Sequence, residues 1–344
     1  MRWILRLLIF FLSAWRWGLE GQTPRRTLCV MEYNVENLFD TEDDPNHADE
    51  DFLPDGSHHW TPARYRLKLQ RIAEVISLVG DEDFPDLVGL VEVEGGQVLE
   101  DLLHKTPLGQ QAGYSFLVTH GEDPRGIQVA LLYRPSSFRL IAKEEIPLHF
   151  PFDEAKRTRS LLHATGVVAS GDTLDVVLCH LPSRRGGARR TAPYRAYAAG
   201  CLRRLVDSLA QVGGGSRHSL LLGDFNGEAE EPFIAEVLGA QPYMSSELTS
   251  VQSDRLYALL HRESPNKRVG SYCYQGCWSQ LDQLIVSSSL LLPSSSLRYV
   301  EGSAETVHHP AYTTERGTPW RTYGGTFYQG GYSDHFPIRL RLNY

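Results

Sequence analysis

The 344-residue sequence predicts an α/β domain, and three observations carry that prediction. Apolar runs of strand length recur at 27–39, 86–94, 126–135, 161–168, 174–183 and 220–227, and most of them run into polar residues. Two intervening stretches place apolar residues at helical spacing. The composition, 42% hydrophobic with 30 Gly and 19 Pro, is ordinary for a globular chain with room for one large domain or two small ones. No internal repeat is visible.

The first element stands outside that pattern. Arg2 and Arg6 flank an apolar run at 7–14, followed by Trp15-Arg16-Trp17 and a polar stretch at 21–26. The run is too short to span a bilayer as a finished helix. It fits a cleaved secretory signal over residues 1–21, although no clean small-x-small pair precedes Gly21. An uncleaved interfacial anchor and an ordinary helix are the alternatives. A signal would place the protein outside the cell or in the periplasm, where disulfides form. Five cysteines are an odd count for a disulfide framework. Cys29, Cys179 and Cys201 sit on apolar faces and read as small core residues, whereas Cys273 and Cys277 flank a Tyr-Gln-Gly loop and their pairing stays open. The net charge is −8, and removal of residues 1–21 takes away three arginines and one glutamate, deepening it to −10. A global basic face for nucleic acid is thereby excluded, so an anionic substrate must be held by local arginines or by a metal.

The remaining elements follow in order. The strand at 27–39 turns polar at Asn34. The acidic stretch from Asp40 to Asp55 reads as a mobile, solvated insertion, because Pro45 occupies the place where the helix-loop-helix calcium motif needs Gly. Thr61-Pro62 opens a helix, with Leu67, Ile72, Val75, Ile76 and Val79 as its apolar stripe. The strand at 86–94 ends in Glu92 and Glu94, projecting to one side, and open α/β sheets place ligand chemistry at such carboxyl ends. Strands at 126–135 and 161–168 are joined by an irregular segment carrying Lys156, Arg157 and Arg159. The strand at 174–183 carries His180 at its end, and a Gly-rich basic loop follows with Arg184, Arg185, Arg189 and Arg190. The next helix buries Tyr194, Ala198, Cys201, Leu202, Leu205, Val206 and Leu209 on one face.

At 220–227 three leucines run into Gly, Asp224, Phe225, Asn226 and Gly, a buried strand entering a tight turn. Asp224 and Asn226 stand one alternation apart on the same side. Polar groups taken out of water need partners, so the pair reads as functional, with a plain Asx turn as the alternative. Asp282 lies inside a later strand-like pattern. A long loop rich in Gly, Tyr and Thr at 302–331 leads to Ser333-Asp334-His335-Phe336-Pro337 and a closing strand at 339–342.

Taken together, Tyr33-Asn34-Val35, Gly89-Leu-Val-Glu92-Val-Glu94, His180-Leu-Pro-Ser183, Gly223-Asp224-Phe225-Asn226, Leu281-Asp282 and Ser333-Asp334-His335-Phe-Pro resemble the motifs of the endonuclease/exonuclease/phosphatase superfamily. Its members include pancreatic-type deoxyribonuclease, apurinic-site endonucleases, bacterial sphingomyelinases and inositol polyphosphate 5-phosphatases. The resemblance spans residues 27–344. It implies two packed mixed β-sheets flanked by helices, a four-layer, deoxyribonuclease I-like α/β sandwich, with a metal-dependent site at one edge. On that resemblance Glu92 would be the principal ligand of Mg²⁺ or Mn²⁺, with Ca²⁺ as an alternative ion, Asn34 beside it and Asp334 near the metal. Oxygen ligands suit such ions. Asp224 would orient or deprotonate the attacking water, and Asn226 would donate to the phosphoryl oxygens. His335 would contact the scissile phosphate, steadied by Asp282, and His180 would be the second histidine. Where pancreatic-type deoxyribonucleases place a Glu to partner the first histidine, this chain offers Arg157-Thr-Arg159-Ser, which puts a strict His–Glu pair in doubt. Glu36 falls where apurinic endonucleases carry an Asp ligand and reads either as a ligand or as a solvated end residue. The runs beginning at His180 and at Arg321 are similar to those of secreted bacterial members.

The reaction implied is metal-assisted hydrolysis of a phosphate ester, which needs an aligned water, charge neutralisation and leaving-group protonation. Nucleic acid is the expected substrate, with Arg184, Arg185 and Arg321 as substrate-binding candidates. The aromatic residues Tyr312, Trp320, Tyr323, Phe327, Tyr328 and Tyr332 either stack on bases or pack the long loop. A phospholipid or small phosphate ester is the alternative substrate, and the acidic net charge favours it modestly. A non-catalytic binding protein on the same scaffold is a third reading, opposed by the intact set of polar residues. No obligate protein partner is evident.

Overall fold

The structure is a computed structural model that describes residues 26–344 apart from 82, 213–216, 245–250, 253–254 and 262–269. The predicted signal at 1–21 lies outside the described residues. In chain order the first half comprises β1 (Thr27–Leu38), α1 (Pro62–Val79), β2 (Leu87–Val93), α2 (Gly96–His104), α3 (Leu108–Gln111), β3 (Ser115–Val118), β4 (Gln128–Tyr133), β5 (Phe138–Ile146), β6 (Leu161–Val168) and β7 (Thr173–His180). Then come α4 (Ala188–Val212), β8 (His218–Asp224), β9 (Ala240–Pro242), β10 (Leu256–Ala258), a hairpin of β11 (Tyr272–Tyr274) and β12 (Cys277–Ser279), and β13 (Asp282–Ser287). Short strands β14 (Arg298–Tyr299) and β15 (Glu305–Thr306), a second hairpin of β16 (Tyr323–Gly324) and β17 (Phe327–Tyr328), and β18 (Ile338–Asn343) complete it.

Two mixed sheets result. The first has the order β14-β18-β1-β2-β4-β3, with β15 also on β18, and the second β5-β6-β7-β8-β13-β10-β9. Each sheet holds a central parallel pair, β1 with β2 and β7 with β8, joined through helices α1 and α4 respectively. All other neighbours of these pairs run antiparallel. Strands at the centre are apolar on both faces because both faces are covered. Leu28, Val30, Val91, Leu131, Val176, Leu178, Leu222 and Leu340 fill the space between the sheets. Tyr33, Leu90 and Leu132 face Leu69, Ile72 and Ile76 of α1, while Val177, Leu221 and Ile285 face Ala198, Leu202 and Val206 of α4. The four layers are helix, sheet, sheet, helix. At Gly89 an added methyl would meet Leu178 Cδ2 at 2.8 Å and Leu222 Cδ1 at 3.0 Å, so the sheets close on each other there without room for a side chain.

Several sequence expectations are corrected. The α1 core face uses Tyr65, Lys68 and Leu69 in place of Leu67. The segment between β4 and β6 contains β5, an edge strand whose exposed, charged sequence hid its pairing. The acidic stretch is not a purely solvated insertion: Asp49 is buried, and Phe52 stacks on Phe39 and His58. Cys201 is half-buried. No disulfide joins Cys273 to Cys277; Tyr274 opposes Cys277 and Cys273 opposes Trp278, so strand alternation sends the two thiols to opposite faces.

Candidate active site

The two central parallel pairs deliver their carboxyl ends to one cleft of about 1060 Å³, lined by Asn34, Glu92, His180, Asp224, Asn226, Asp334 and His335 among others. The strands fix the spacing. His180 on β7 is the register partner of Asp224 on β8, which in turn partners Asp282 on β13, so three polar residues stand in one row across the second sheet. From the first sheet, the Asn34 amide donates to Asp224 Oδ2 at 3.2 Å. This bond ties the two sheets together across 190 residues of chain. The Ser333 hydroxyl donates to the Asn34 carbonyl at 2.6 Å and accepts from the His335 amide at 3.1 Å, holding the loop before β18 over the same strand end.

Local backbone strain aims the side chains. Glu92 adopts φ +66° and Asn226 φ +51°, left-handed conformations that cost non-glycine residues about 1–3 kcal/mol each. A register irregularity between Val91 and Val93 accompanies the turn at Glu92. It breaks the expected alternation: Glu92 enters the cleft, whereas Glu94 turns away and accepts from the Asp40 amide at 2.7 Å. Glu92 Oε2 accepts from the Asn37 amide at 3.1 Å, and Oε1 lies 3.9 Å from His180 Nε2. Asn226 turns its amide to the Leu181 carbonyl at 3.1 Å, and its backbone N–H donates to Asp224 Oδ1 at 2.7 Å.

The electrostatics divide the two histidines. His335 Nδ1 bonds Asp282 Oδ2 at 2.7 Å, which directs Nε2 toward Asp224 Oδ2, 4.0 Å away. Burial opposes charge on His335, but the carboxylates, Asp282 foremost, outweigh it and hold the imidazole well above its ordinary range. For His180 burial is reinforced by Arg159, and its pKa falls well below the ordinary range. Its Nε2 lies 3.7 Å from Asp224 Oδ2 and its buried Nδ1 has no hydrogen-bond partner among the described residues. Among the described residues no glutamate bonds His180 Nδ1, so a His–Glu dyad of the deoxyribonuclease type is not formed there. Asp224 is pushed up to about 7 by burial and by Asp282, with His335 opposing.

The arginine candidates separate. Arg184 lines the cleft but is tied to the Asn226 carbonyl at 2.9 Å and to Glu231. Arg185 and Arg190 line it without a carboxylate partner among the described residues. Arg321 lies outside the cleft lining, 3.5 Å from Asp334 Oδ2 and over the Tyr272 ring. Most aromatic residues of 312–332 pack inward: Tyr312, Tyr323 and Tyr332 are buried, Arg71 covers Trp320 and Tyr332, and Phe327 alone of the six is exposed. The aromatics that do line the cleft are Tyr194, Tyr272 and Tyr274.

Sequence reasoning missed Lys68 and Glu32, and it named Arg159 and Glu36 without the roles that the structure gives them. Arg159 is buried and donates to the His180 carbonyl at 3.1 Å, the Leu181 carbonyl at 2.8 Å and Asp123 at 2.9 Å. Glu36 is not a solvated end. Its buried carboxylate accepts from the Thr322 amide at 2.6 Å and the Tyr323 amide at 3.2 Å. Burial and Asp334 push it up to about 7, against Lys68. Lys68 donates to the Thr322 hydroxyl and the Tyr332 carbonyl, each at 2.6 Å, pinning the same loop. Glu32, two residues before Asn34, is fully buried with neither carboxyl oxygen hydrogen-bonded, and burial raises its pKa well above the ordinary range. A Glu two positions before a strand-end Asn was the available signal.

Asp224, Asp282 and His335 converge within 4.8 Å of one another, close enough to hold an ion. The facing atoms of Asp282 and His335 are already joined at 2.7 Å, however. Asn34, Glu92 and Asp334 offer a separate set of oxygen donors on the cleft wall, chemistry that fits a hard divalent cation.

A strand-end cluster of carboxylates, amides and imidazoles on a four-layer α/β sandwich defines this protein as a phosphoesterase hydrolase. The chain belongs to the Endonuclease/Exonuclease/phosphatase family, whose model matches residues 29–344. The family generally uses divalent metals. No curated protein matches the sequence. Among solved structures, ANGEL2, a 2′,3′-cyclic phosphatase, superposes with TM-score 0.59 at 17% identity, covering 93% of this chain and 95% of that one. The human Nocturnin catalytic domain gives 0.54 at 18%, covering 92% and 97%. A mannosyl-6-phosphatase of Bacteroides thetaiotaomicron gives 0.55 at 17%, covering 92% and 100%. At these identities the likeness is one of fold.

Proposed function

We propose that this protein is a divalent-metal-dependent nuclease that hydrolyses nucleic-acid phosphodiesters by direct attack of water. The observation that carries this reading is the cleft itself. In a chain of net charge −8, the walls beyond the strand ends carry Arg125, Lys156, Arg157, Arg184, Arg185 and Arg190. Cations spread along a cleft of about 1060 Å³ suit a substrate with several phosphates better than one small ester.

Glu92, Asn34 and Asp334 would hold Mg²⁺ or Mn²⁺, which would neutralise charge on the phosphoryl oxygens. Asp224, oriented by the Asn34 amide and the Asn226 backbone, takes a proton from the attacking water, and a carboxyl near 7 is matched to that task. His335, kept protonated by Asp282, presents Nε2 as the acid that meets charge on the leaving oxygen. His180 serves as a neutral donor to a non-bridging oxygen. The signal-like run at 7–14 supports an activity outside the cytoplasm.

Purified protein with Mg²⁺ or Mn²⁺ should cleave DNA or RNA, with H335A and D224A each reducing kcat by about 10²–10⁴-fold. Turnover of sphingomyelin or inositol phosphates without cleavage of plasmid, single-stranded DNA or RNA would overturn the nuclease reading and leave the phosphoesterase class standing.

A further inference from the structure

We propose that the β11–β12 hairpin is a stacking subsite for an unpaired nucleobase next to the scissile phosphate. The proposal rests on the nuclease reading and adds to it where a base is held. Tyr272 and Tyr274 are two residues apart on β11, so strand alternation puts both rings on one face. Those rings lie 7° from parallel with centroids 6.5 Å apart. Gln275 and Gly276, both at positive φ, form the two-residue turn that fixes the hairpin register.

The hairpin is anchored at its root to the catalytic loop. Tyr272 bridges His335 through the backbone, and the Phe336 amide donates to the Ser271 carbonyl at 2.7 Å. On the other strand Trp278 stacks on the buried Phe336 at 6.1 Å and 13°. The Tyr272 ring stands 4.8 Å from the His335 ring. A row of rings therefore leads from His335 through Tyr272 to Tyr274, which is 52% exposed.

Core packing does not account for Tyr274, whose ring is half exposed and lines the cleft. Residues 272–279 include no lysine or arginine, and the cation over Tyr272, Arg321, is paired with Asp334. Two parallel rings on the cleft wall, one of them 4.8 Å from the histidine that meets the phosphate, suit a planar group carried by that phosphate. A base inside a duplex has both faces occupied by its neighbours, so the subsite takes a base from a single strand or a frayed end.

The test uses the full chain with Mg²⁺ or Mn²⁺ and a single-stranded oligonucleotide with one cleavable linkage. A matched strand carries a base-free tetrahydrofuran sugar on one side of that linkage, then on the other. Stacking on one base predicts that base removal on one side lowers wild-type kcat/KM by about tenfold. Y274A should lose a similar factor on the intact strand, chiefly through KM, and cleave intact and base-free strands equally well. Tyr274→Phe should behave like the wild type. If Y274A and wild type respond equally to base removal, the hairpin is no base subsite, and the nuclease reading survives because both cleave the strand. If the wild type cleaves no oligonucleotide, that reading fails and this proposal fails with it.

Discussion

Asp282 accepts a 2.7 Å hydrogen bond from His335 Nδ1 inside the protein, with the Asp282 carboxylate fully shielded from water. The two residues lie 53 positions apart, one on β13 and one in the loop before β18, so the second sheet and the closing loop must both be in place before the pair exists. Its effect on charge state makes it testable. Burial alone favours the neutral imidazole, and the carboxylate reverses that preference. D282N keeps the shape and removes the charge, so the His335 pKa should fall. The alkaline limb of the kcat–pH profile should then move to lower pH, with a loss of about 10²–10⁴-fold in kcat at neutral pH. An unshifted limb in a folded variant would show that His335 does not act in its protonated form.

Glu32 makes a prediction about stability. Its carboxyl is buried without a hydrogen bond, and its pKa is raised well above 4.5 by burial and by Asp282 and Asp224. A raised folded-state pKa means that the folded protein binds the proton more tightly than the unfolded chain. The stability gained from the neutral acid is fully present below about 4.5 and is lost as pH rises through the folded-state value. Glu32→Gln has no proton to lose. Its Tm relative to wild type should therefore climb between pH 5 and 8, by about 2–4 °C for each kcal/mol removed from the wild type. A constant Tm difference across that range would mean that Glu32 does not titrate on unfolding.

The residues legible in the sequence share one property: each interrupts an apolar strand at its end. Asn34, Glu92, His180 and Asp224 were visible on that ground, and the register that unites them follows from two parallel pairs whose carboxyl ends meet. The roles of Arg159, Glu36 and Lys68 were not legible, because they are set by backbone carbonyls and amides of distant segments, up to 287 residues away for Glu36 and Tyr323. The long-loop aromatics were ambiguous for the same reason. Composition cannot say whether Tyr332 faces a cleft or, as it does, α1 and its Arg71. Glu94 misled because alternation assumes regular backbone, and the left-handed turn at Glu92 breaks it.

Arg159 carries the last prediction. Its guanidinium is buried, and its three bonds go to the carbonyls of His180 and Leu181 and to the carboxylate of Asp123. The Leu181 carbonyl is shared with the Asn226 side-chain amide, so one planar cation sets the backbone from which both His180 and, indirectly, the Asp224 turn are aimed. Arg159→Met leaves two buried carbonyls short of a donor and leaves Asp123 with Arg125, 3.3 Å away, as its remaining cation. Loss of one member of a buried ion pair costs about 3–5 kcal/mol, which corresponds to a fall in Tm of about 6–20 °C. Arg159→Lys restores the charge but not the fork, and so should recover part of the stability while kcat stays about 10–100-fold low, because a small misplacement at the strand end is enough to disturb His180. Measured below the Tm of each variant, equal kcat in wild type and Arg159→Lys would show that the residue stabilises the fold without positioning the histidine.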